Sequence, residues 1–190
     1  MRVVAYHVDA GAGLSTAFAV WARWLLFWQR IDRAIPVRSD DLIASDDTAA
    51  ALELLPRGSV SELQVWGHGS PGSPNIARDD DTARLDAWLQ RIAAAEVLAS
   101  GAVVWFRSCS VGHGRAGRAF ADRAARILGA TILVHTYLIH VVQAGLHAVS
   151  PCEGAGWPDD EGGARVWGWP WSRGGQWVTC LRGRAPSVRA

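Results

Sequence analysis

"AVVWFRSCSVGHG", Ala102 to Gly114, is the stretch whose reading decides the fold. Ala102–Ser108 opens with five apolar residues, Ala102–Phe106, which predicts a buried strand. Cys109 follows where the strand gives way to a glycine-rich turn. Arg115 to Leu128 then predicts a helix, with Ala116, Phe120, Ala124 and Ile127 at helical spacing and small alanines that allow close packing on a sheet. "ATILVHT", Ala130–Thr136, predicts a second buried strand. Strand, helix and strand in this order form a parallel crossover unit.

The same alternation extends upstream. "RVVAYHV" (Arg2–Val8) predicts a buried strand ending at a glycine turn. A helix follows from about Ser15 to Arg30. Its Ala17, Trp21, Trp24, Leu25 and Trp28 share one face, and Phe18, Ala22 and Leu26 lie opposite, so cover on more than one side is expected. Trp21, Trp24 and Trp28 are expected in the core. Val37–Ile43 predicts a weak strand. Ser45 caps a helix that carries Leu52 and Leu55. "ELQVWGHG" (Glu62–Gly69) predicts a strand that ends in a turn. Thr82 to about Ala99 predicts a helix with Leu85, Trp88, Leu89 and Ile92 on one side.

Downstream of Tyr137, "LIHVVQAGLHAV" fits a helix or a strand and turn. Cys152 to Gln176 reads as a long ordered loop, and Gln176–Leu181 as a last strand. The fold class is therefore α/β: a mostly parallel sheet covered by helices on both faces, in three αβα layers. One domain over residues 1–182 and a flexible tail over 183–190 are expected.

Composition narrows the function classes. With 190 residues the chain buries roughly two-thirds of its unfolded surface in a single core. A net charge of +1 supplies no field that would draw nucleic acid or an anionic membrane. All 19 basic residues are arginine, but they are scattered rather than clustered. Three cysteines, Cys109, Cys152 and Cys180, fit no disulfide framework and no CxxC zinc site. A reducing, cytoplasmic setting without metal or cofactor is expected. The N-terminus lacks a signal-peptide layout. The most apolar window, "AFAVWARWLLFW", is too short to span a bilayer and carries Arg23.

In open α/β sheets, ligand sites form where loops leave the carboxyl ends of strands. Two such ends carry reactive side chains: "VWGHGSPG" sets His68 after Trp66–Gly67, and "WFRSCSVGHG" sets Cys109 after Arg107–Ser108. If the two strands are neighbours, His68 and Cys109 emerge side by side. A helix N-terminus and an adjacent imidazole favour a thiolate, and the imidazole can pass a proton to a leaving group. The flanking glycines let the backbone N–H groups of Gly69 and Cys109 point at a developing oxyanion. Taken singly, a strand-end cysteine is most often an inert buried residue, and a His-Gly pair only a turn.

At these residues the chain resembles the caspase–gingipain superfamily of cysteine peptidases, and most of all its bacterial caspase-like domains. "ELQVWGHGSPG" is followed about forty residues on by "VVWFRSCSVGHGRAGRAFADRAARILGATILVHT", which matches a strand-HG pair, a strand-C and a G-x-x-F helix at Gly117–Phe120. The resemblance covers Glu62–Thr136. It implies about six strands with helices on both faces. It also implies peptide-bond cleavage through an acyl-enzyme on Cys109, with His68 as acid and base. Arg107–Ser108 stands where many relatives carry an acid or Gln-Ala, so the specificity pocket departs from theirs.

Other residues are weighed beside this pair. Ser108, next to the nucleophile, is a candidate substrate-binding residue. Trp167 and Trp169 alternate with Trp171 in "VWGWPWS" and share one face of an extended segment. They read as hairpin packing, as a platform for a peptide, or as a dock for a partner protein. The acidic runs Asp79–Asp81 and Asp159–Glu161 read as solvated loops. Among relatives such acids form a pocket for a basic residue or a calcium site, which makes Asp79 a candidate substrate contact. His113 fits the turn that starts a helix. His135, His140 and His147 show no metal spacing and read as structural or surface histidines. "HGSPG" and "SCSVG" both lack the first glycine of a serine-hydrolase elbow. Two functions thus stand open. One is a cysteine endopeptidase acting on peptide or protein substrates; the other is a non-catalytic domain of the same fold that docks a protein partner or regulator through its Trp-rich loop.

Overall fold

The computed structural model describes residues 1–8, 13–28, 31–38, 49–74, 82–139, 142–162, 175–179 and 182–186. Asp79, His140, Trp167, Trp169, Trp171, Cys180 and the Ser45 cap lie outside these residues.

The element order is β1 (Arg2–Val8), α1 (Gly13–Trp28), β2 (Arg33–Arg38), β3 (Val60–Trp66), α2 (Thr82–Ala94), β4 (Leu98–Arg107), α3 (Gly114–Leu128), β5 (Thr131–His135), β6 (Val142–Val149) and β7 (Gln176–Thr179). Residues 49–53 are also helical. One seven-stranded sheet runs in the order β2-β1-β3-β4-β5-β6-β7. β1 to β5 pair in parallel, and β6 and β7 close the sheet antiparallel. The mostly parallel α/β sheet agrees with the sequence, but it has seven strands rather than about six.

Alternate strand residues enter separate cores, as the pleat requires. Val3, Leu63, Val104 and Ile132 stand in one register row. They join Ala5, Val65 and Phe106 against Leu85, Trp88, Leu89 and Ile92 of α2 and Phe120 of α3. Val4 and Trp66 face the other way, toward Ala22 and Leu25 of α1. Trp105 and Leu133 share that second face with Leu146 and Val178.

Several local expectations shift. The α3 stripe is Gly117, Phe120, Ala121, Ala124, Ala125 and Leu128. It is rotated from the expected one, so Ala116 is exposed and Ile127 half-buried. Phe120 meets Phe106 edge to face with centroids 5.0 Å apart. A Cβ on Gly117 would fall 2.1 Å from the carbonyl carbon of Gly112, so only glycine lets the helix sit this close to the loop after β4. In α1, Trp21 and Trp24 are partly buried, but Trp28 is 64% exposed and Phe27 77% exposed. Over residues 19–28, Ala22 and Leu25 are buried while Val20 is exposed with Phe27 and Trp28, so that part of the helix is covered on one side.

α2 stops at Ala94, because Glu96 takes φ 52, which no helix allows. β4 then begins at Leu98, ahead of the expected start. β2 lies over Arg33–Arg38 and includes Pro36, which an edge strand tolerates. Residues 183–186, expected loose, pack on the sheet: Gly183 O accepts from Gln64 Nε2 (3.1 Å) and Ala185 N donates to Glu62 Oε1 (2.9 Å).

Candidate functional site

β3 and β4 are parallel neighbours with Trp66 opposite Arg107 in the last rung of their pairing. Both chains therefore leave the sheet at one level. His68 and Cys109 each lie two residues past that rung. The two turns are in contact: a Cβ on Gly69 would lie 2.7 Å from Cys109 O, 2.7 Å from Val111 Cγ2 and 2.8 Å from Ser108 Cβ. Any side chain at 69 would push the turns apart. His68 and Cys109 are both half-buried.

The thiol also touches a third loop. Cys109 Sγ accepts from Ile139 N (3.5 Å) and lies 3.8 Å from Ile139 O. The loop itself is tied down at alternate residues. Ser110 takes the left-handed conformation (φ 54), and its N–H donates to Tyr137 O (2.9 Å) while Gly112 N donates to His135 O (2.8 Å). His113 N returns to Ser110 O (2.9 Å) before α3 starts. The amides of Ser110 and Gly112 are thus committed. Those of Gly69 and Cys109, the expected oxyanion donors, have no carbonyl partner among the described residues. α3 begins five residues past Cys109, with His113 as an N-cap whose side chain makes no capping bond to the helix.

Ser108 is fully buried beside Gly69, and among the described residues neither its Oγ nor that of Ser110 has a hydrogen-bond partner. A buried hydroxyl without a partner costs about 1–3 kcal/mol, so the paired orphans mark this loop as strained in its polar bonding.

Arg107, two residues before Cys109, is fully buried. Its guanidinium lies 4.0 Å from the ring centroid of Trp66 and 4.0 Å from that of Trp105. Nε donates to Gln143 Oε1 (3.0 Å), NH1 to Gln64 Oε1 (3.1 Å) and NH2 to Thr179 O (3.0 Å). NH1 also reaches Arg182 O. This planar fork, stacked between two indoles, ties β3, β4, β6, β7 and residue 182 together behind the cysteine.

Glu161 is the functional candidate that the sequence hides. It stands in an acidic run that reads as a solvated loop, yet it is buried. Its carboxylate accepts from Thr136 Oγ1 (2.9 Å) and is bonded to His147 Nε2. Its backbone oxygen takes His113 Nδ1 (2.8 Å). Trp157 stacks on His147 (4.6 Å) and donates from Nε1 to Gly112 O (2.8 Å). Asp159 of the same run pairs with Arg118 on α3.

His135 is fully buried between Trp105 Nε1 (3.1 Å from Nε2) and Ala144 O (3.0 Å from Nδ1). Burial drives its pKa down to about 3; the Ala144 carbonyl opposes this, and Arg107 and His147 add to it. Cys152 is exposed. No three metal-ligating side chains cluster among the described residues, and no helix there is long and apolar enough to cross a membrane. No protein-family model matches this chain, and neither does any curated protein or solved structure.

Proposed function

We propose that the chain is a cysteine endopeptidase that works through a Cys109–His68 dyad, on a three-layer αβα fold of the caspase–gingipain kind. One observation carries the reading: two adjacent parallel strands end at the same rung and deliver a histidine turn and a cysteine turn into contact through Gly69. In this reading His68 removes the Sγ proton and the sulfur bonds to the scissile carbonyl carbon. The carbonyl oxygen becomes an oxyanion held by the N–H groups of Gly69 and Cys109. The C–N bond then breaks, and the proton held on His68 passes to the leaving amine. Water, deprotonated by His68, attacks the thioester and releases the acid and the free thiol.

A second reading, a non-catalytic docking domain for a protein partner, draws on exposed aromatics. Phe27 and Trp28 meet edge to face at 4.9 Å on the uncovered end of α1, and Trp177 is exposed on β7. Trp167 and Trp169, its original basis, fall outside the described residues.

The two readings separate in one experiment. The protein is treated with a panel of peptidyl acyloxymethyl ketones that differ in the residue next to the warhead, and intact mass and peptide mapping follow. The peptidase reading expects a single adduct at Cys109, absent from Cys109→Ala. No adduct from any member, together with iodoacetamide rates alike at Cys109 and Cys152, sinks it in favour of docking.

A further inference from the structure

Two loops flank the Cys109 sulfur: its own, residues 108–113, and the segment 136–139 that follows β5. They touch each other through Ser110 N to Tyr137 O and through the contacts of Ile139 with Sγ. Neither loop lies in a helix or a named strand, so an anchor outside both adds to these direct bonds. Glu161 bonds to both at once: its carboxylate to Thr136 at the start of one, and its backbone oxygen to His113 at the end of the other. His147 holds the same carboxylate from β6, which pairs with β5 in the sheet.

The turn that carries Glu161 is itself fixed. Glu161 N donates to Pro158 O (3.2 Å), Trp157 Nε1 caps Gly112 O, and Arg118 grips both Trp157 O (3.1 Å) and Asp159. The next residue, Gly162, is so close that a Cβ would lie 2.0 Å from Thr136 O. We infer that Glu161 is a positioning residue: a latch that holds the two loops around Cys109 in register.

That assignment leans on the peptidase reading for its purpose, since a latch around Cys109 serves catalysis only if Cys109 reacts. The geometry of the latch does not depend on it. A carboxylate bonded to two donors on separate elements restricts both, and loss of such support displaces a reacting group by enough to cost up to about 100-fold in rate.

The test is amide hydrogen exchange together with iodoacetamide kinetics on the full chain. In Glu161→Ala, protection at Ser110 and Gly112 is expected to fall at least roughly tenfold while β1 keeps its wild-type protection, as a local opening requires. The Cys109 to Cys152 alkylation ratio is expected to drop by about tenfold with it. Glu161→Gln keeps an acceptor for Thr136 Oγ1 and a polar partner for His147, and is expected to restore both readouts to within about threefold of wild type. Thr136→Val cuts one arm only; it serves if Glu161→Ala does not fold, and should loosen Ser110 more than Gly112.

Unchanged protection at Ser110 and Gly112 in both Glu161→Ala and Thr136→Val overturns the latch. So does a loss of protection spread evenly through β1, because Glu161 would then support the fold as a whole. A wild-type alkylation ratio near one, with the exchange pattern as expected, defeats the peptidase reading and leaves the latch in place.

Discussion

Arg107 and Trp66 are partners across the last rung between β3 and β4, and the guanidinium of one lies 4.0 Å above the ring of the other. With the Trp105 ring also 4.0 Å away and no exposed surface, the arginine fills space inside the protein rather than opening toward substrate. The position two residues before Cys109 is thus a girder between strands.

This makes Arg107 a stability residue. Lysine would keep the charge but lose the planar stack and most of the fork's bonds, and would take this donor from Gln143 Oε1 and the Thr179 carbonyl, while Gln64 Oε1 keeps its bond from Trp66 Nε1. Arg107→Lys should destabilise the protein by about 3 kcal/mol, in the range seen when buried polar networks are broken. Urea unfolding followed by tryptophan emission would measure it. A midpoint shift worth less than about 1 kcal/mol would mean that the stack and the fork contribute little.

Gly69 is where fold and proposed chemistry meet. In Gly69→Ala the new methyl must displace the Cys109 carbonyl, which is backbone and has nowhere to relax. The expected stability cost is about 1–3 kcal/mol, typical of overpacking. The alkylation rate of Cys109 should change well beyond that of Cys152, because the displaced group is the cysteine's own peptide unit. Equal rates in wild type and variant would show that the two turns do not constrain each other.

The proposed dyad gives a sharper pair of variants. Cys109→Ala removes one half-buried sulfur and should leave stability within about 1 kcal/mol while it abolishes peptide cleavage. His68→Ala should lower turnover by roughly 100-fold or more yet leave slow alkylation of Cys109 measurable. Cleavage that persists in Cys109→Ala would remove the covalent route altogether.

The parts of this molecule that sequence exposes are those decided by local pattern. β4, α3 and β5 announce themselves because the strands are buried on both faces and the helix has a continuous apolar stripe. The strand-end positions of His68 and Cys109 follow from those same boundaries. What stays hidden depends on distant partners. β6 reads ambiguously because Gly145, at φ 61, interrupts it and shifts its register against β7. β2 is obscured by Pro36, acceptable only because the strand forms an edge. Arg107 cannot be told from a pocket residue until Trp66 and Gln143 are brought beside it. Glu161 looks like one acid among three, since nothing nearby in the chain foretells Thr136 and His147. Trp28 shares its helical face with the partly buried Trp21 and Trp24, yet it is itself exposed.

His135 supplies a pH dependence with a definite sign. Its folded pKa of about 3 lies below the ordinary 6.5, because burial beside Arg107 and His147 disfavours the charged ring. The unfolded chain therefore takes up a proton that the folded protein refuses. Above pH 6.5 both states are neutral and the group leaves stability at its full value. As the pH falls from there toward 3, stability drops by up to about 1.4 kcal/mol per pH unit from this residue alone. Glutamine can still accept from Trp105 and donate to Ala144 O but cannot titrate, so His135→Gln removes this component while the carboxylates titrate alike in both proteins. Urea-unfolding free energies of the two proteins, compared from pH 7 down to about 4.5, should converge or cross as the pH drops, the wild type losing more. A difference that stays constant across that range would mean that His135 is protonated as readily in the fold as outside it.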